Sequence, residues 1–355
     1  MPNNRVEKLL EKLDKSGLDG FLISSPPNRR YFSGFSGSSG LLLISRSTQL
    51  LATDFRYWEQ AASQAPDFTI FKATKGLKEW FADFVSRAGV SRVGFESSDV
   101  TVSTASTMRR SLKKAGIKTS LISSGDLCSR LRITKDAQEI ALIKKAAAIS
   151  DGAAEHARRV VRAGMSEIEL AWEIEGYMRT HGSEPIGFSV ICASGPNSAL
   201  PHATPSNKPI NPGEPIVCDF GACVDGYTSD LTRTICVGEP DSQFKKLYNI
   251  VFLAQKAAIE GIFNGIKASE ADALARSVIQ EAGYGDYFGH SLGHGIGLEV
   301  HEAPFLGPSS KDTLGEGMVF TIEPGIYLPG WGGVRIEDDA LLENNRVTLL
   351  SKAAK

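Results

Sequence analysis

Two pairs of acids and a cluster of histidines have the residue types and spacing to do chemistry in this 355-residue chain. In "IVCDFGACVDGYTSDLTRTI", Asp225-Gly226 predicts a two-residue hairpin turn, so Val224 should face Tyr227 and Gly221 should face Asp230. Asp219 is two residues from Gly221, and alternation of side chains puts Asp219 and Asp230 on one face as diagonal neighbours. Two carboxylates on one buried face are unfavourable without a cation or a shared proton. A turn cap, or an ion pair with Arg233, is the competing reading, and for this pair alone neither prevails. The segment "FTIEPGIYLPGWGGVRIEDDALL" repeats the pattern: Glu323 closes one apolar strand and Glu337 sits on the returning one. Burial of a glutamate among β-branched residues is rare unless it is paired, and the repetition argues against a merely exposed strand end. Arg335, on the same face as Glu337, is an ion-pair partner or a donor that holds a ligating carboxylate in place; the two roles are compatible.

The segment "HSLGHGIGLEVHE" places His290, His294 and His301 within thirteen residues. His290 and His294 have the spacing of a helical zinc site, but Ser291 follows the first and Gly293, Gly295 and Gly297 disfavour a helix, which excludes that reading. Glycine is expected to let the backbone approach a metal, with one imidazole joining the carboxylates and the others facing a substrate. His156 and His181 fall in helical stretches and are expected to be structural. Four carboxylates and one imidazole form a hard, oxygen-rich set, too charged for one zinc and suited to two divalent ions such as Mn²⁺, Co²⁺, Fe²⁺ or Zn²⁺. Two ions about 3.5 Å apart can share a hydroxide that attacks a carbonyl and can stabilise the resulting oxyanion, which is hydrolase chemistry.

The elements that must position these residues follow from periodicity. Val6, Leu9, Leu10 and Leu13 mark a helix stopped at Gly17, and "GFLIS", "LLLIS" and "QLLAT" read as short buried strands. Helix and strand then alternate through "LKEWFADFVSRAG", "RVGFE", "STMRRSLKKAG" and "KTSLIS", so residues 1–126 are expected to be an α/β domain. A second domain, 127–355, opens with a long helix from Lys135 after Thr134 as N-cap, followed by "SEIELAWEIEGYMRTHG" as another. The stretch "GFSVICASG" is expected to be a strand leading into a loop with His202. Two more helices separate the acidic hairpin from the histidine segment, so helices then hairpin occur twice and suggest two similar halves.

Charged residues make up 23% and the net charge is −2, without the basic excess that nucleic acid attracts. The opening "MPNNRVEKLLEKLDKSG" carries charges every few residues, unlike a signal peptide, and no apolar run of about eighteen residues suggests a membrane span. A cytoplasmic location is the expectation. Five cysteines, Cys128, Cys192, Cys218, Cys223 and Cys236, form no CxxC pair and are expected to be reduced, buried thiols.

Together these residues resemble the pita-bread metallopeptidases, comprising methionine aminopeptidase, aminopeptidase P and prolidase. The resemblance spans essentially the whole sequence. It implies metal ligands Asp219, Asp230, His294, Glu323 and Glu337, with Mn²⁺ foremost among the ions. It places the substrate-side histidines on His202 in "ALPHA" and His301 in "VHE", and His290 near the pocket for the residue after the cut. Glu323 would both ligate and carry a proton, as a carboxylate beside the attacking hydroxide is placed to do. Thr232 would support a ligand by a hydrogen bond, although an exposed strand threonine is an equal reading, and Arg335 would serve ligand and substrate. The amino-terminal half, through "NRRYFSGFSGSSG" and "TDFRYWEQA", is similar to the creatinase-type domain of the prolyl branch. The fold implied is that α/β domain followed by a domain of two α/β halves around a curved antiparallel sheet. The substrate implied is a peptide with proline at its second position, and the assembly implied is a homodimer.

Within that branch a dipeptidase must bind a free carboxylate beyond proline, which calls for a cation. Some prolidases have Arg after the His-Glu-x-Pro stretch; here "HEAPFLG" has Phe305, which favours an aminopeptidase P-like enzyme over a dipeptidase. Arg29, Arg30, Arg56 and Lys311 are the alternative cations, and Phe188 with Tyr327 is the expected apolar wall for the proline ring. A broader aminopeptidase and a metal-free binding module are the remaining alternatives.

Overall fold

Apolar runs too short for helices become strands in the amino-terminal part of the chain. The structure, a computed structural model, describes residues 2–125, 127–185 and 188–355. Strands β1 (Gly20–Ile23), β2 (Leu41–Ser45), β3 (Gln49–Thr53), β4 (Thr69–Lys72), β5 (Arg92–Glu96) and β6 (Ser120–Ser124) form one mixed sheet in the order β4-β3-β2-β1-β5-β6. Every residue of β1 and β2 is buried, as expected of strands covered on both faces, which therefore read as continuous apolar runs. Helices α1 (Pro2–Lys15), α2 (Pro26–Ser33), α3 (Trp58–Gln64), α4 (Leu77–Ala88) and α5 (Val102–Lys114) alternate with them. Phe81, Phe84 and Val85 of α4 share a core with Leu43, Leu50 and Val93 of the sheet.

The boundary expected at Asp126 falls on a residue outside the described set. The chain divides instead into the compact units Met1–Arg132 and Ile133–Lys355. Helix α6 (Ser129–Arg132) stays with the first unit: buried Arg132 donates from Nη1 to Asn28 Oδ1 at 2.9 Å, and the Tyr31 hydroxyl donates to the Leu131 carbonyl at 3.0 Å.

The second unit opens with α7 (Ala137–Val160), two residues later than expected. Asp136 is its cap, accepting from the Gln138 and Glu139 amides while Glu139 accepts from the Asp136 amide at 2.9 Å. This reciprocal box outcompetes a threonine cap, and Thr134 instead bridges Met318. Helix α8 (Glu167–Thr180) starts on a second such box, Ser166 with Glu169.

The strand expected over residues 187–195 begins at Gly187, which lies outside the described residues; β7 covers Ile191–Ser194. It joins β8 (Pro215–Phe220) and, beyond a short hairpin of β9 (Cys223–Val224) and β10 (Tyr227–Thr228), β11 (Leu231–Cys236) in the order β11-β8-β7. The helix pair α9 (Ser242–Gly261) and α10 (Ala268–Glu281) precedes the second set of strands. These are β12 (Gly293–Gly295), β13 (Glu302–Leu306), β14 (Val319–Ile322), β15 (Gly325–Leu328), β16 (Gly332–Arg335), β17 (Asp338–Glu343) and β18 (Arg346–Leu349). The order β13-β12-β14-β17-β18 is antiparallel throughout. A helix pair followed by antiparallel strands thus occurs twice, as the sequence suggested.

Packing of this unit aims the acids. Ile322 and Ile336 are fully buried in the core that also holds Leu247, Val251 and Ala254 of α9. Successive residues of an extended chain point to opposite faces, so Glu323 and Glu337 are turned away from that core and into a cavity.

Candidate metal centre

Asp225 and Gly226 adopt φ values of 51° and 75°, both left-handed, as a tight hairpin turn of this kind requires. Val224 pairs with Tyr227, Leu231 with Phe220 and Thr232 with Asp219. The hairpin therefore sets Asp219 and Asp230 at one end of a cavity of about 490 Å³, whose wall also includes His294, Glu323 and Glu337. Asp230, His294 and Glu337 each offer an atom within 4.8 Å of the others. His294 Nε2 is 3.4 Å from Glu323 Oε1 and 3.8 Å from Asp230 Oδ2.

These donors fit divalent ions for three reasons. Asp230 Oδ1 is buried and has no hydrogen-bond partner among the described residues, a costly arrangement for a carboxylate unless a cation completes it. His294 Nδ1 donates to the Gly295 carbonyl at 3.1 Å, which leaves the Nε2 lone pair facing the acids. Burial, followed by the neighbouring His301, lowers the His294 pKa to about 4, so the ring is neutral and able to ligate. The acids are strained in the opposite sense. Burial raises Asp230 and Glu337 well above the usual carboxylate range, with Glu337 and Asp219 adding to the first and Glu323 and Asp219 to the second. Burial also pushes Glu323 up to about 8. Such a cluster holds protons when empty and favours divalent cations in their place.

The glycines around His294 have a different purpose from the one expected. A Cβ on Gly293 would lie 2.0 Å from the Thr321 carbonyl oxygen, and one on Gly295 would lie 2.2 Å from that of Ala303. They allow β12 to fit closely between β14 and β13, and it is the strand position that presents His294. Close contact with an ion is not what removes their side chains.

Thr232 and Arg335 brace the acids from behind. The Thr232 hydroxyl donates to Glu337 Oε2 at 2.6 Å and accepts from Arg335 Nε at 3.0 Å. Arg335 Nη2 pairs with Asp219, and Nη1 donates to the Tyr327 hydroxyl at 2.9 Å and toward the Pro201 carbonyl at 3.4 Å. All three nitrogens of Arg335 are thus engaged by protein atoms, which fits the supporting role expected for it better than direct substrate binding. Tyr327 passes the arrangement on: its hydroxyl lies 2.9 Å from His290 Nε2, while His290 Nδ1 donates to the Ser291 carbonyl at 2.8 Å. Burial, then Arg335, lowers the His290 pKa to about 4, consistent with a neutral ring that accepts from the tyrosine. His290 lines the cavity with its ring rather than with an open nitrogen.

His202 and His301 are exposed and also line the cavity, and the His301 ring centroid lies 4.2 Å from that of His294. Of the expected apolar wall, Phe188 lines the cavity, whereas Tyr327 is taken up by His290 and Arg335. Phe305 lines it too and is 50% exposed. Arg29 is buried and donates to the Ser24 and Gly37 carbonyls, which removes it from the alternative cations. His156 pairs with Glu173 and His181 stacks on Tyr177, both on α8, in keeping with structural roles. No disulfide joins the five cysteines; four are buried and Cys236 is half-buried.

Three residues that sequence reasoning passed over also act here. Asp339 accepts from the Asp230 amide at 3.1 Å, Asp338 pairs with Arg233 Nη2 at 2.6 Å, and Gln255 reaches Asp338 at 2.9 Å. The acidic run Glu337-Asp338-Asp339 inside an apolar strand was the available signal for the first two.

Comparison with known proteins accords with this geometry. Residues 141–344 match Metallopeptidase family M24, and residues 5–134 match the Creatinase/Prolidase N-terminal domain. The chain is 40% identical to the Xaa-Pro dipeptidase of Pyrococcus horikoshii, across 99% of this chain and 98% of that one. Its fold is similar to a solved Xaa-Pro dipeptidase from Bacillus anthracis, with a TM-score of 0.95, 43% identity and coverage of 100% and 99% of the two chains. It is also similar to a solved X-Pro aminopeptidase from Thermotoga maritima, with a TM-score of 0.90, 38% identity and coverage of 99% and 98%. A chain with this degree of likeness along its whole length, and with ligand-type side chains converging inside the matched region, belongs to metallopeptidase family M24.

Proposed function

We propose that the protein is a dinuclear-metal exopeptidase that hydrolyses the Xaa-Pro bond at the amino terminus of peptides. Membership of a metallopeptidase family implies divalent metal ions. The observation that carries the proposal is the convergence of Asp219, Asp230, His294, Glu323 and Glu337 on one cavity beside His202 and His301. These five would hold two ions, Mn²⁺ foremost, because four carboxylates and an imidazole form a hard donor set. When bound, such ions supply a nucleophile at neutral pH and polarise the scissile carbonyl.

Glu323, raised in pKa by burial, takes the proton of the attacking water and delivers it to the departing proline nitrogen. His202 and His301, exposed on the cavity wall, donate to the substrate carbonyl as its oxygen gains negative charge. Arg335 holds Asp219 and Thr232 holds Glu337, so that neither carboxylate swings away during turnover. Phe188 and the His290 ring flank the space for the proline ring.

Different observations favour each of two substrate lengths. Among the described residues lining the cavity, Arg335 is the sole lysine or arginine, and its nitrogens are engaged; Phe305 stands half-exposed at the wall. A dipeptide carboxylate would meet no open cation there, which supports an aminopeptidase P-like preference for longer peptides. The names of the Pyrococcus horikoshii and Bacillus anthracis relatives favour a dipeptidase. Hydrolysis of Ala-Pro and Ala-Pro-Ala by protein stripped with chelator and reloaded with Mn²⁺ decides between them. Preference for the tripeptide supports the aminopeptidase reading, and preference for the dipeptide the other. Failure to cut any proline-containing peptide with Mn²⁺, Co²⁺ or Zn²⁺ would sink both.

A further inference from the structure

Gln255 lies on α9, a helix whose inner face is otherwise apolar, and it is fully buried. A buried amide at such a position is unfavourable unless its polar atoms are satisfied. Its Nε2 lies 3.0 Å from the Ile322 carbonyl oxygen, 3.3 Å from that of Ile336 and 2.9 Å from Asp338 Oδ2. Ile322 and Ile336 immediately precede Glu323 and Glu337. The strand pairing breaks at this point: the last rung is Ile322 with Asp338, and pairing resumes at Gly325 with Arg335. Gln255 thus bridges the two chains where the ladder opens to aim both glutamates.

Lys355 fastens the other end of the amide. Its Nζ donates to Gln255 Oε1 at 2.7 Å and pairs with Asp338 Oδ2 at 2.7 Å. An ammonium only donates and a carbonyl only accepts, so Lys355 must face Oε1, and Nε2 must then face the two isoleucine carbonyls. Arg233 closes the arrangement, donating from Nη1 to the Glu337 carbonyl and from Nη2 to Asp338. Without the ammonium, Gln255 Oε1 becomes a buried acceptor lacking this donor, which loosens the amide's hold on the two carbonyls.

We infer that Gln255 and Lys355 are positioning residues for the metal centre, joined as a staple that fixes the backbone immediately before Glu323 and Glu337. The inference rests on the metal-centre reading above. It says that the staple acts on the geometry of two ligands, beyond any contribution it makes to holding the fold.

The test compares wild type with Lys355→Met, Lys355→Arg and Gln255→Met. Mn²⁺ affinity is measured by calorimetry, the visible absorption of the Co²⁺-loaded protein reports ligand geometry, and thermal unfolding of the metal-free protein reports stability. Lys355→Met is expected to weaken Mn²⁺ binding about tenfold or more and to change the Co²⁺ spectrum, as loss of support behind a ligand does. Gln255→Met should do so more strongly, and Lys355→Arg should restore most of the affinity. Variants that bind Mn²⁺ like wild type overturn the inference, as does a loss of affinity that Lys355→Arg does not restore and that follows a fall in metal-free stability. If Gln255→Met does not fold, Lys355→Met decides, because its side chain is 20% exposed. A wild-type protein that binds no Mn²⁺ overturns the metal-centre reading and this inference with it; wild-type binding with unaffected variants overturns this inference alone.

Discussion

Glu96 in the first unit and Asp230 in the second are both buried acids, and they are treated in opposite ways. Glu96 accepts from the Ser24 and Ser25 amides at 2.6 and 2.8 Å and from the Asn28 side chain, and so ties the start of α2 to the end of β5. Glu167 is a second example: fully buried, it accepts from the Ser194 and Ser206 amides at 2.7 and 3.0 Å and from both of their hydroxyls. Asp230 has one oxygen with no partner among the described residues and faces other acids across a cavity. Burial therefore does not separate a structural carboxylate from a functional one. The supply of protein donors does: where the chain provides them the acid is a fastening, and where it withholds them the acid is left open to a cation.

Several substitutions would break or sharpen this contrast. Asp230→Asn should lower kcat/KM for a proline peptide by on the order of 10³ or more, yet raise the melting temperature of the metal-free protein by relieving crowded acids. A metal-free protein that melts lower than wild type would put Asp230 with Glu96 after all. His301→Ala or His202→Ala should cost about 10²–10³ in kcat while leaving Mn²⁺ affinity by calorimetry unchanged, if these rings contact substrate rather than ions as proposed. A parallel loss of Mn²⁺ would reassign them as ligands.

Glu167→Ala should destabilise the protein by at least about 3 kcal/mol in urea unfolding, equally with and without metal, because several buried donors lose their acceptor. Equal stability would mean that those donors find other partners.

The pH response follows from Glu323. Burial raises its pKa from 4.5 to about 8, so the metal-free fold favours the protonated acid, a contribution complete below about pH 4.5 and lost as pH rises through about 8. Divalent ions need the ionised form. The gain in melting temperature on adding Mn²⁺ should therefore grow between about pH 5 and pH 8, at roughly 2–4 °C per kcal/mol for a unit of this size. A gain that shrinks over that range would contradict the raised pKa. The smallest effect is expected for Thr232→Val, which removes one hydrogen bond to Glu337 and should weaken Mn²⁺ about tenfold. No change would return Thr232 to an ordinary strand threonine.

Much of the site was legible because its geometry is local. Asp225-Gly226 dictates a turn, the turn dictates register, and register puts Asp219 and Asp230 on one face without reference to the rest of the chain. The α7 cap was misplaced by two residues although its signal is also local: Asp136 with Glu139 is a stronger box than Thr134 offers. The glycines near His294 were read as room for an ion because their real neighbours, Thr321 and Ala303, come from strands elsewhere in the chain. Gln255 was invisible for the same reason, since nothing near it on α9 announces two carbonyls more than sixty residues away.

Sequence alone determined the alternation of helices and strands, the shared face of Asp219 and Asp230, and the chemical hardness of the donor set. These depend on residue type and on periods of two and 3.6, which are properties of neighbouring residues. Glu337, expected on the returning strand, lies instead in the break between β16 and β17. Tertiary structure decided which acids share a cavity, which oxygen is left without a partner, and which residues brace the ligands from behind. Protonation and metal affinity depend on distances between atoms remote in the chain, and only the folded protein sets those distances.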